Sequence, residues 1–189
     1  MLIDEQRSIF DFDDFTLERD TFFPTRSPLK KLLTGLVPRI SKNIEAKKNY
    51  RRFADLVAQP GRKARVLVVG GSIVGEGMEE FIADNRFEFV ETDVSFGPRC
   101  SLICDGHDLP FEDGAFDGVV VQAVLEHVVD PIRCVKELHR VLKPGGHVYA
   151  DTPFMQQVHS RAYDFTRYTH LGHRRLFREF SEVQSGASC

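Results

Sequence analysis

Residues 65–81 of the chain read RVLVVGGSIVGEGMEEF, the stretch that is most informative about its architecture. The apolar, β-branched run 65–69 is typical of a parallel strand covered on both faces. Two pairs of glycines follow: the first ends the strand, and the second brackets the start of a helix predicted over about 75–84. These glycines are Gly70, Gly71, Gly75 and Gly77. Such a turn brings backbone N–H groups and a helix N-terminus close to a ligand, which suits an anion or a nucleotide-like group. The alternative is a strand-to-helix connection that binds nothing.

Strands and helices alternate along the chain on both sides of this turn. Apolar patterns predict strands over 87–92, 100–104, 117–122 and 147–151. Helical patterns are found over 42–58, 131–142 and 170–180, and a short helix is predicted near 29–36. Alternation of this kind indicates an α/β fold, in which a doubly wound, mostly parallel sheet carries helices on both faces.

Composition and charge restrict the classes of protein to which the chain can belong. At 189 residues, with 42% hydrophobic and 28% charged residues, the chain has the composition of a soluble domain. No apolar run is long enough to span a bilayer and no secretory leader is evident, so we expect a cytoplasmic protein without a membrane partner. Residues 1–20 are acidic and residues 26–65 are basic. A solvated surface is the favoured interpretation of these charges, and binding of an anionic partner is the alternative.

The chain has four cysteines, and two of them fall on one predicted strand. Cys100 and Cys104 are then separated by about 13 Å, which is too far for a disulfide or for a shared metal. We expect reduced thiols and no metal site.

In a doubly wound sheet, ligands bind beyond the carboxyl ends of the strands, so the residues that end each strand are candidates for a site. The first strand ends at Gly70, Gly71 and Ser72. Asp93 ends the second, about twenty residues past the glycine turn, where an acid meets ribose hydroxyls. Asp105, Gly106 and His107 follow the third, and Gln122 and Ala123 end the fourth. Each acid could instead cap a loop. Together the residues fit an adenosine-containing ligand, either a nicotinamide dinucleotide or S-adenosylmethionine.

Three longer segments carry a resemblance to a known family. FEFVETDVSFGP (87–98), CDGHDLPFEDGAFDGVVVQAVLEHVVDP (104–131) and ELHRVLKPGGHVYADTPF (137–154) resemble the class I S-adenosylmethionine-dependent methyltransferases. The resemblance covers about 66–154, continues more loosely to about 180, and implies the Rossmann-like methyltransferase fold. It also implies a methyltransferase domain over 61–189, with residues 1–60 as an N-terminal arm and helix that pack on it.

The resemblance assigns roles to the residues at the strand ends. Gly70, Gly71 and Ser72 would hold the methionine part of S-adenosylmethionine. Asp93 would bind the ribose hydroxyls, with Val94 against the adenine. Asp105, Gly106 and His107 would frame the adenine edge, while Gln122 and Ala123 would border the cofactor near its methyl group.

The sequence departs from the family pattern at three places. The family has an acid two residues before the first glycine, where this chain has Val68, and the loop GGSIVGEG is longer than the family's G-x-G-x-G. The family's sheet normally ends in an antiparallel hairpin, of which only 182–187 could form a beginning. We therefore expect a shortened C-terminal end, or an open sheet edge that pairs with a second copy in a homodimer.

Methyl transfer to a hydroxyl or an amine can need a general base, and three residues are candidates. They are His127, His159 and Asp164. His127 as a structural group that bonds a backbone carbonyl, and His159 as a surface or packing residue, are the alternatives. The segment after 154 resembles the substrate-facing insertion of methyltransferases that act on sugars or other small polar molecules. Its arginines suit a phosphate or carboxylate, so a small polar acceptor is expected.

Other classes of function stay open at this stage. The chain could bind S-adenosylmethionine without catalysis, or serve as an interaction domain of methyltransferase fold. An NAD-linked oxidoreductase is a third interpretation, against which Asp105 and the LKPGG turn (142–146) argue. Nucleic-acid methylation would need a face that combines basic and aromatic residues, and the sequence does not indicate one.

Overall fold

The structure is a computed structural model, and it describes residues 43, 45–154, 156 and 163–187. Most of the arm predicted within 1–60, its short helix near 29–36 and the candidate base His159 lie outside the described residues. The described helices are α1 (Ala46–Val57), α2 (Glu79–Ile82), α3 (Pro131–Val141) and α4 (His170–Leu176). The strands are β1 (Ala64–Val69), β2 (Phe87–Asp93), β3 (Leu102–Ile103), β4 (Phe116–Gln122) and β5 (Leu142–Asp151).

The five strands form one sheet in the order β3-β2-β1-β4-β5, and every pair is parallel. The predicted fold class, a doubly wound parallel sheet, is confirmed. Residues 182–187 do not form a strand. In the described part of the chain, no helix combines the length and the apolar character that crossing a bilayer requires.

Successive residues of β1 point to opposite faces of the sheet, and each face is covered by different helices. Val66 and Val68 point to one face, where they pack with α1 and α2. Leu67 and Val69 point to the other face, where they pack with α3. Each of these side chains is at least 93% buried, and full burial of one apolar side chain contributes about 1.5–3 kcal/mol. The buried aromatic side chains of the first face are Tyr50, Phe53, Phe81 and Phe87, and the partly buried Phe89 and Tyr149 pack against them. The β-branched run therefore forms the centre of the fold, as its pattern predicts.

Two predicted elements are less than half as long as expected. The helix predicted over 75–84 is a single turn, Glu79–Ile82, because Gly75 and Gly77 belong to the preceding loop. Gly77 has a φ of +82°, and a Cβ there would lie 2.5 Å from the Cβ of Ala46. The predicted strand 100–104 is limited to Leu102–Ile103. Cys100 and Cys104 therefore flank a strand rather than lie in one, and both are free thiols.

Asp117 joins three segments at the amino end of the sheet. Its buried carboxylate accepts hydrogen bonds from Arg62 (2.8 and 2.5 Å), from Lys143 (2.9 Å) and from the backbone N–H of Arg65 (2.9 Å). These donors, the Arg62 guanidinium first, hold the pKa of Asp117 far below its ordinary value. Because ligands bind at the opposite edge of such a sheet, this cluster is structural.

Candidate functional site

The glycine turn after β1 is bonded directly to the end of β2. The backbone N–H groups of Gly70 and Gly71 donate to the carbonyl of Thr92 at 2.8 and 2.9 Å. The next N–H, that of Ser72, donates to Oδ2 of Asp93 at 3.2 Å. The expectation that this turn offers bare N–H groups to a ligand is therefore wrong for Gly70 and Gly71, whose donors are used within the fold.

Close packing accounts for the glycines of this turn. Gly70 has a φ of +76°, and a Cβ there would lie 2.3 Å from Cγ2 of Val124. A Cβ on Gly75 would lie 1.8 Å from Oε1 of Gln122. The loop thus crosses over the carboxyl end of β4, and side chains larger than hydrogen would push it away.

Asp93 is held in place while its carboxylate stays partly exposed. Its Oδ1 accepts from the N–H of Ser95 (3.1 Å) and from the Ser95 hydroxyl (3.2 Å). Two exposed apolar side chains follow it, Val94 (67% exposed) and Phe96 (86% exposed). A fixed acid beside exposed apolar surface is what a ribose with an attached base requires. Sequence reasoning included Val94 but missed Phe96, because the exposure of this phenylalanine is seen only in the structure.

His107 joins the loop after β3 to the start of α3. Its Nε2 accepts the backbone N–H of Asp130 at 3.1 Å, so its Nδ1 carries the proton and donates to Oδ1 of Asp105 at 2.6 Å. The Asp105 side chain is 49% exposed. His107 therefore orients Asp105 at the sheet edge, a role that sequence reasoning did not assign to it.

The rest of that loop is fixed by α3. The Glu137 carboxylate accepts the N–H of Leu109 at 2.9 Å. Arg140 donates to the carbonyls of Leu109 (2.8 Å) and Phe111 (2.7 Å). The buried Gly106 fits against α3 as well, because a Cβ there would lie 3.2 Å from Sγ of Cys134. The loop carrying Asp105 is thus rigidly supported.

Ala123, directly after β4, adopts a left-handed backbone conformation with a φ of +53°. Its N–H donates to the carbonyl of Asp151 at 2.8 Å, which ties the ends of β4 and β5 together. A non-glycine residue in this conformation is unfavourable and is found most often where a site requires it. The predicted cofactor-contacting residue therefore lies at a strained position of the sheet edge.

A network of side chains surrounds Asp151 at the end of β5. Its Oδ2 accepts from Nδ2 of Asn43 (2.6 Å) and from Nε2 of Gln122 (3.3 Å), and Oε1 of Gln122 accepts from the Tyr50 hydroxyl (2.9 Å). Burial raises the pKa of Asp151 above its ordinary value, and the two amide donors only partly offset this effect. Sequence reasoning missed Asp151, although it ends a predicted parallel strand as Asp93 does.

Two of the three candidate bases lie within the described residues, and both are engaged by the fold. Nδ1 of His127 donates to the carbonyl of Tyr163 at 2.6 Å, and its Nε2 lies 3.6 Å from Oε1 of Glu126. The Asp164 carboxylate forms an ion pair with Arg167, in which Nη2 and Oδ2 are 2.7 Å apart. These contacts suit structural roles, including the backbone-carbonyl contact considered for His127. Their assignment as bases stays a prediction.

The described residues contain no group of three or more His, Cys, Asp or Glu side chains that could hold a metal ion. The acidic groups at the sheet edge are instead spread over β2, the loop after β3, and β5.

The chain is similar to known methyltransferases over part of its length. Residues 76–150 match the protein family described as methyltransferase domain. A demethylmenaquinone methyltransferase of Clavibacter sepedonicus is 36% identical over 107 residues, which are 51% of this chain and 39% of that protein. A ubiquinone/menaquinone biosynthesis C-methyltransferase of Brucella anthropi is 35% identical over 97 residues, 48% of this chain and 32% of the relative.

A third relative is the chloroplastic 2-phytyl-1,4-beta-naphthoquinone methyltransferase of Arabidopsis thaliana. It is 52% identical over 44 residues, 23% of this chain and 17% of that protein. The chain thus spans at most 39% of the length of these relatives.

Solved structures share the fold at lower sequence identity. The cyclase SpnF has a TM-score of 0.55 and 20% identity, covering 70% of this chain and 56% of its own. The protein MccD has a TM-score of 0.54 and 15% identity, covering 70% of this chain and 69% of its own.

Proposed function

We propose that this chain, which carries a class I S-adenosylmethionine-dependent methyltransferase domain, transfers the methyl group of S-adenosylmethionine to a small aromatic acceptor. The observation that carries the proposal is that the Asp93 carboxylate is fixed in position and partly exposed at the end of β2. This acid is fixed by Ser72 and Ser95, is partly exposed, and is followed by the exposed apolar residues Val94 and Phe96.

These residues suit the adenosine part of the cofactor. The Asp93 carboxylate keeps one unused lone pair, on Oδ2, that can accept one ribose hydroxyl proton, and the second ribose hydroxyl can replace the Ser95 hydroxyl on Oδ1. Val94 and Phe96 offer apolar surface to the adenine. Asp105, oriented by His107, can accept a hydrogen bond from an exocyclic amino group.

S-adenosylmethionine supplies a methyl group activated on a sulfonium, so the protein's main task is to hold two reactants in line. Holding the reacting atoms within about 3–3.5 Å, correctly aligned, can provide much of the rate acceleration. The rigid ends of β4 and β5, joined through Ala123 and Asp151, provide a fixed wall for this purpose.

The acceptor is inferred from the relatives, whose names refer to menaquinone, ubiquinone and naphthoquinone. They favour a quinone-type acceptor over the sugar- or phosphate-bearing acceptor expected from the sequence. The arginines behind that expectation are partly engaged, because Arg167 pairs with Asp164 and Arg174 pairs with Glu182. We propose a reduced quinone, a ring that carries hydroxyl groups, as the acceptor.

The test combines cofactor binding with turnover. Calorimetric titration with S-adenosylmethionine, S-adenosylhomocysteine and NAD is expected to show binding of the first two compounds only. Incubation with S-adenosylmethionine and reduced 2-phytyl-1,4-naphthoquinone should then give a product with one added methyl group by mass spectrometry. Binding of NAD without binding of either adenosyl compound would contradict the proposal.

A second candidate function is binding of S-adenosylmethionine without methyl transfer. Two observations favour it: Val68 is buried where the family has an acid, and the cyclase SpnF shares the fold. Tight binding of S-adenosylhomocysteine, together with no methylated product from any quinol tested, would support this alternative.

A further inference from the structure

Asp151 lies at the same edge of the sheet as Asp93 but three strands away. In the order β2-β1-β4-β5, Asp93 ends the first of these strands and Asp151 ends the last. Neighbouring strands are about 4.8 Å apart, so the two strand ends are separated by roughly 14 Å. A ligand held by its ribose at Asp93 and lying along this edge toward β4 would bring its far end close to the end of β5, where a second molecule could meet it.

The surrounding residues hold one oxygen of the Asp151 carboxylate and leave the other unused. Oδ2 accepts from Asn43 and Gln122. Gln122 is itself fixed, because its Oε1 accepts from Tyr50 and its Nε2 also lies 3.4 Å from the carbonyl of Glu76. Within the described residues, Oδ1 of Asp151 has no hydrogen-bond partner, and no Lys or Arg forms an ion pair with this carboxylate.

This environment gives the carboxylate the properties of a base. Two neutral amides stabilise its charge less than a cation would, and burial removes part of its hydration. A proton on Asp151 is therefore held more tightly than on an exposed aspartate. General base catalysis improves when the pKa of the base approaches the working pH, so the raised pKa of Asp151 makes it a better base.

We propose that Asp151 is the general base of the methyl transfer, and that its Oδ1 accepts the proton of an aromatic hydroxyl group on the acceptor. The proposal rests on the proposed function. In this step the O–H bond of the acceptor breaks, the proton binds Oδ1, and the electron pair stays on the acceptor. The resulting anionic oxygen forms a bond to the methyl carbon, and the sulfur keeps the electron pair of the C–S bond and leaves as a neutral thioether.

The same environment argues for a hydroxyl rather than an amine. An ionised carboxylate stabilises a neighbouring ammonium, which has no lone pair for attack. A weakly acidic hydroxyl is neutral when it binds and becomes a strong nucleophile once Asp151 accepts its proton. Asp151 thus selects for the aromatic hydroxyl that a reduced quinone carries.

A coloured phenol tests the proposal without turnover. With wild-type protein saturated with S-adenosylhomocysteine, 4-nitrophenol should bind with its hydroxyl donating to the ionised Asp151. The negative charge of Asp151 disfavours a second negative charge on the phenol, so the yellow anion forms less readily. Asp151→Asn keeps the shape but can donate to the anion, so the ionisation constant of the bound phenol should rise about tenfold. The other groups that face Asp151 are Tyr50, Tyr149 and the loop carrying Glu76. Burial raises the pKa of both tyrosines, so neither ionises in this measurement.

Asp108→Asn is the matched control, because Asp108 is an exposed acid on the loop after β3. It should leave the ionisation of the bound phenol unchanged. Equal ionisation in wild type and Asp151→Asn would overturn the proposal, and so would failure of 4-nitrophenol to bind the S-adenosylhomocysteine complex.

A second experiment measures turnover. In the naphthoquinol assay, Asp151→Asn should lower kcat by about 10²–10⁴-fold, while the Kd of S-adenosylhomocysteine changes less than about threefold. A large loss of S-adenosylhomocysteine affinity would overturn the assignment, because Asp151 would then be a cofactor contact. Failure of the wild-type protein to bind S-adenosylhomocysteine would instead contradict the proposed function.

Discussion

The backbone N–H of Ser72 donates to Oδ2 of Asp93 at 3.2 Å, and this bond joins the glycine turn of β1 to the acid that ends β2. Gly70 and Gly71 reinforce the junction through the carbonyl of Thr92. Turn and acid therefore behave as one unit, so a change in the turn should move the carboxylate that we assign to the ribose.

The packing of the glycine turn can be tested with two glycines that share a φ of +76°. A Cβ on Gly61 would have no other atom within 4 Å, so Gly61→Ala should cost only the backbone strain of about 1–2 kcal/mol. Gly70→Ala adds a contact of 2.3 Å with Val124 and should cost about 1–3 kcal/mol more. Urea unfolding measures both values.

Val124→Ala removes the atom that a Cβ on Gly70 would meet. Combined with Gly70→Ala, it should recover most of the additional loss of stability. If Gly70→Ala and Gly61→Ala destabilise the protein equally, the close approach of the turn to Val124 is not present in solution.

His107 provides a second prediction, because its Nδ1 donates to Asp105 and its Nε2 accepts from the backbone N–H of Asp130, which fixes the ring. His107→Leu removes the two hydrogen bonds, each of which contributes about 0.5–1.5 kcal/mol. We expect the Kd of S-adenosylhomocysteine to rise about three- to tenfold in a calorimetric titration. His147→Leu changes a histidine that pairs with Gly118, further from the carboxyl edge, and should leave Kd unchanged. Equal effects of the two variants would show that Asp105 is not oriented for the ligand.

Asp117 makes the stability of the protein depend on pH. Hydrogen bonds from Arg62, Arg65 and Lys143 lower the pKa of this carboxyl in the folded state. Its contribution is therefore fully present above the unfolded pKa, near 3.9, and is lost as the pH falls below that value. Asp117→Asn should lower the free energy of unfolding by about 1–3 kcal/mol at pH 7, with a smaller difference at pH 3.

Urea unfolding of Asp117→Asn, wild type and Asp108→Asn at several pH values measures this difference. Asp108→Asn should follow the wild type throughout. A difference between Asp117→Asn and wild type that stays constant from pH 7 to pH 3 would contradict the assigned role of Asp117.

The sheet could be predicted from the sequence because its central strands are continuous apolar runs. Val66 to Val69 and Val119 to Val121 are buried on both faces, and a covered parallel strand requires this pattern. The length of α2 could not be predicted, because Gly75 and Gly77 are adapted to Gln122 and Ala46 rather than to a helix start. Those contacts join residues distant in sequence, and no local pattern records them.

The candidate site likewise contains residues that could be predicted from the sequence and contacts that could not. Asp93 and Asp105 could be found from their positions after strands, since the carboxyl ends of parallel strands meet at one edge. The bridge from His107 to Asp130 spans 23 residues and depends on where α3 begins. Asp151 could have been found by applying the strand-end rule to β5 as well. Its partner Asn43 is 108 residues away along the chain, and Tyr50, which holds its other partner Gln122, is 72 residues from Gln122. Only the folded sheet brings these residues together.

Calorimetric titration of S-adenosylhomocysteine into the wild-type protein and Asp93→Ala tests the central claim most directly, with Asp108→Asn as the matched control. If the edge formed by β2, β1 and β4 binds the adenosyl group through Asp93, wild type and Asp108→Asn should bind it with similar Kd. Asp93→Ala should then lose at least about 100-fold in affinity, as expected when a charged, bidentate contact is removed. Equal affinity of Asp93→Ala and wild type would contradict the account.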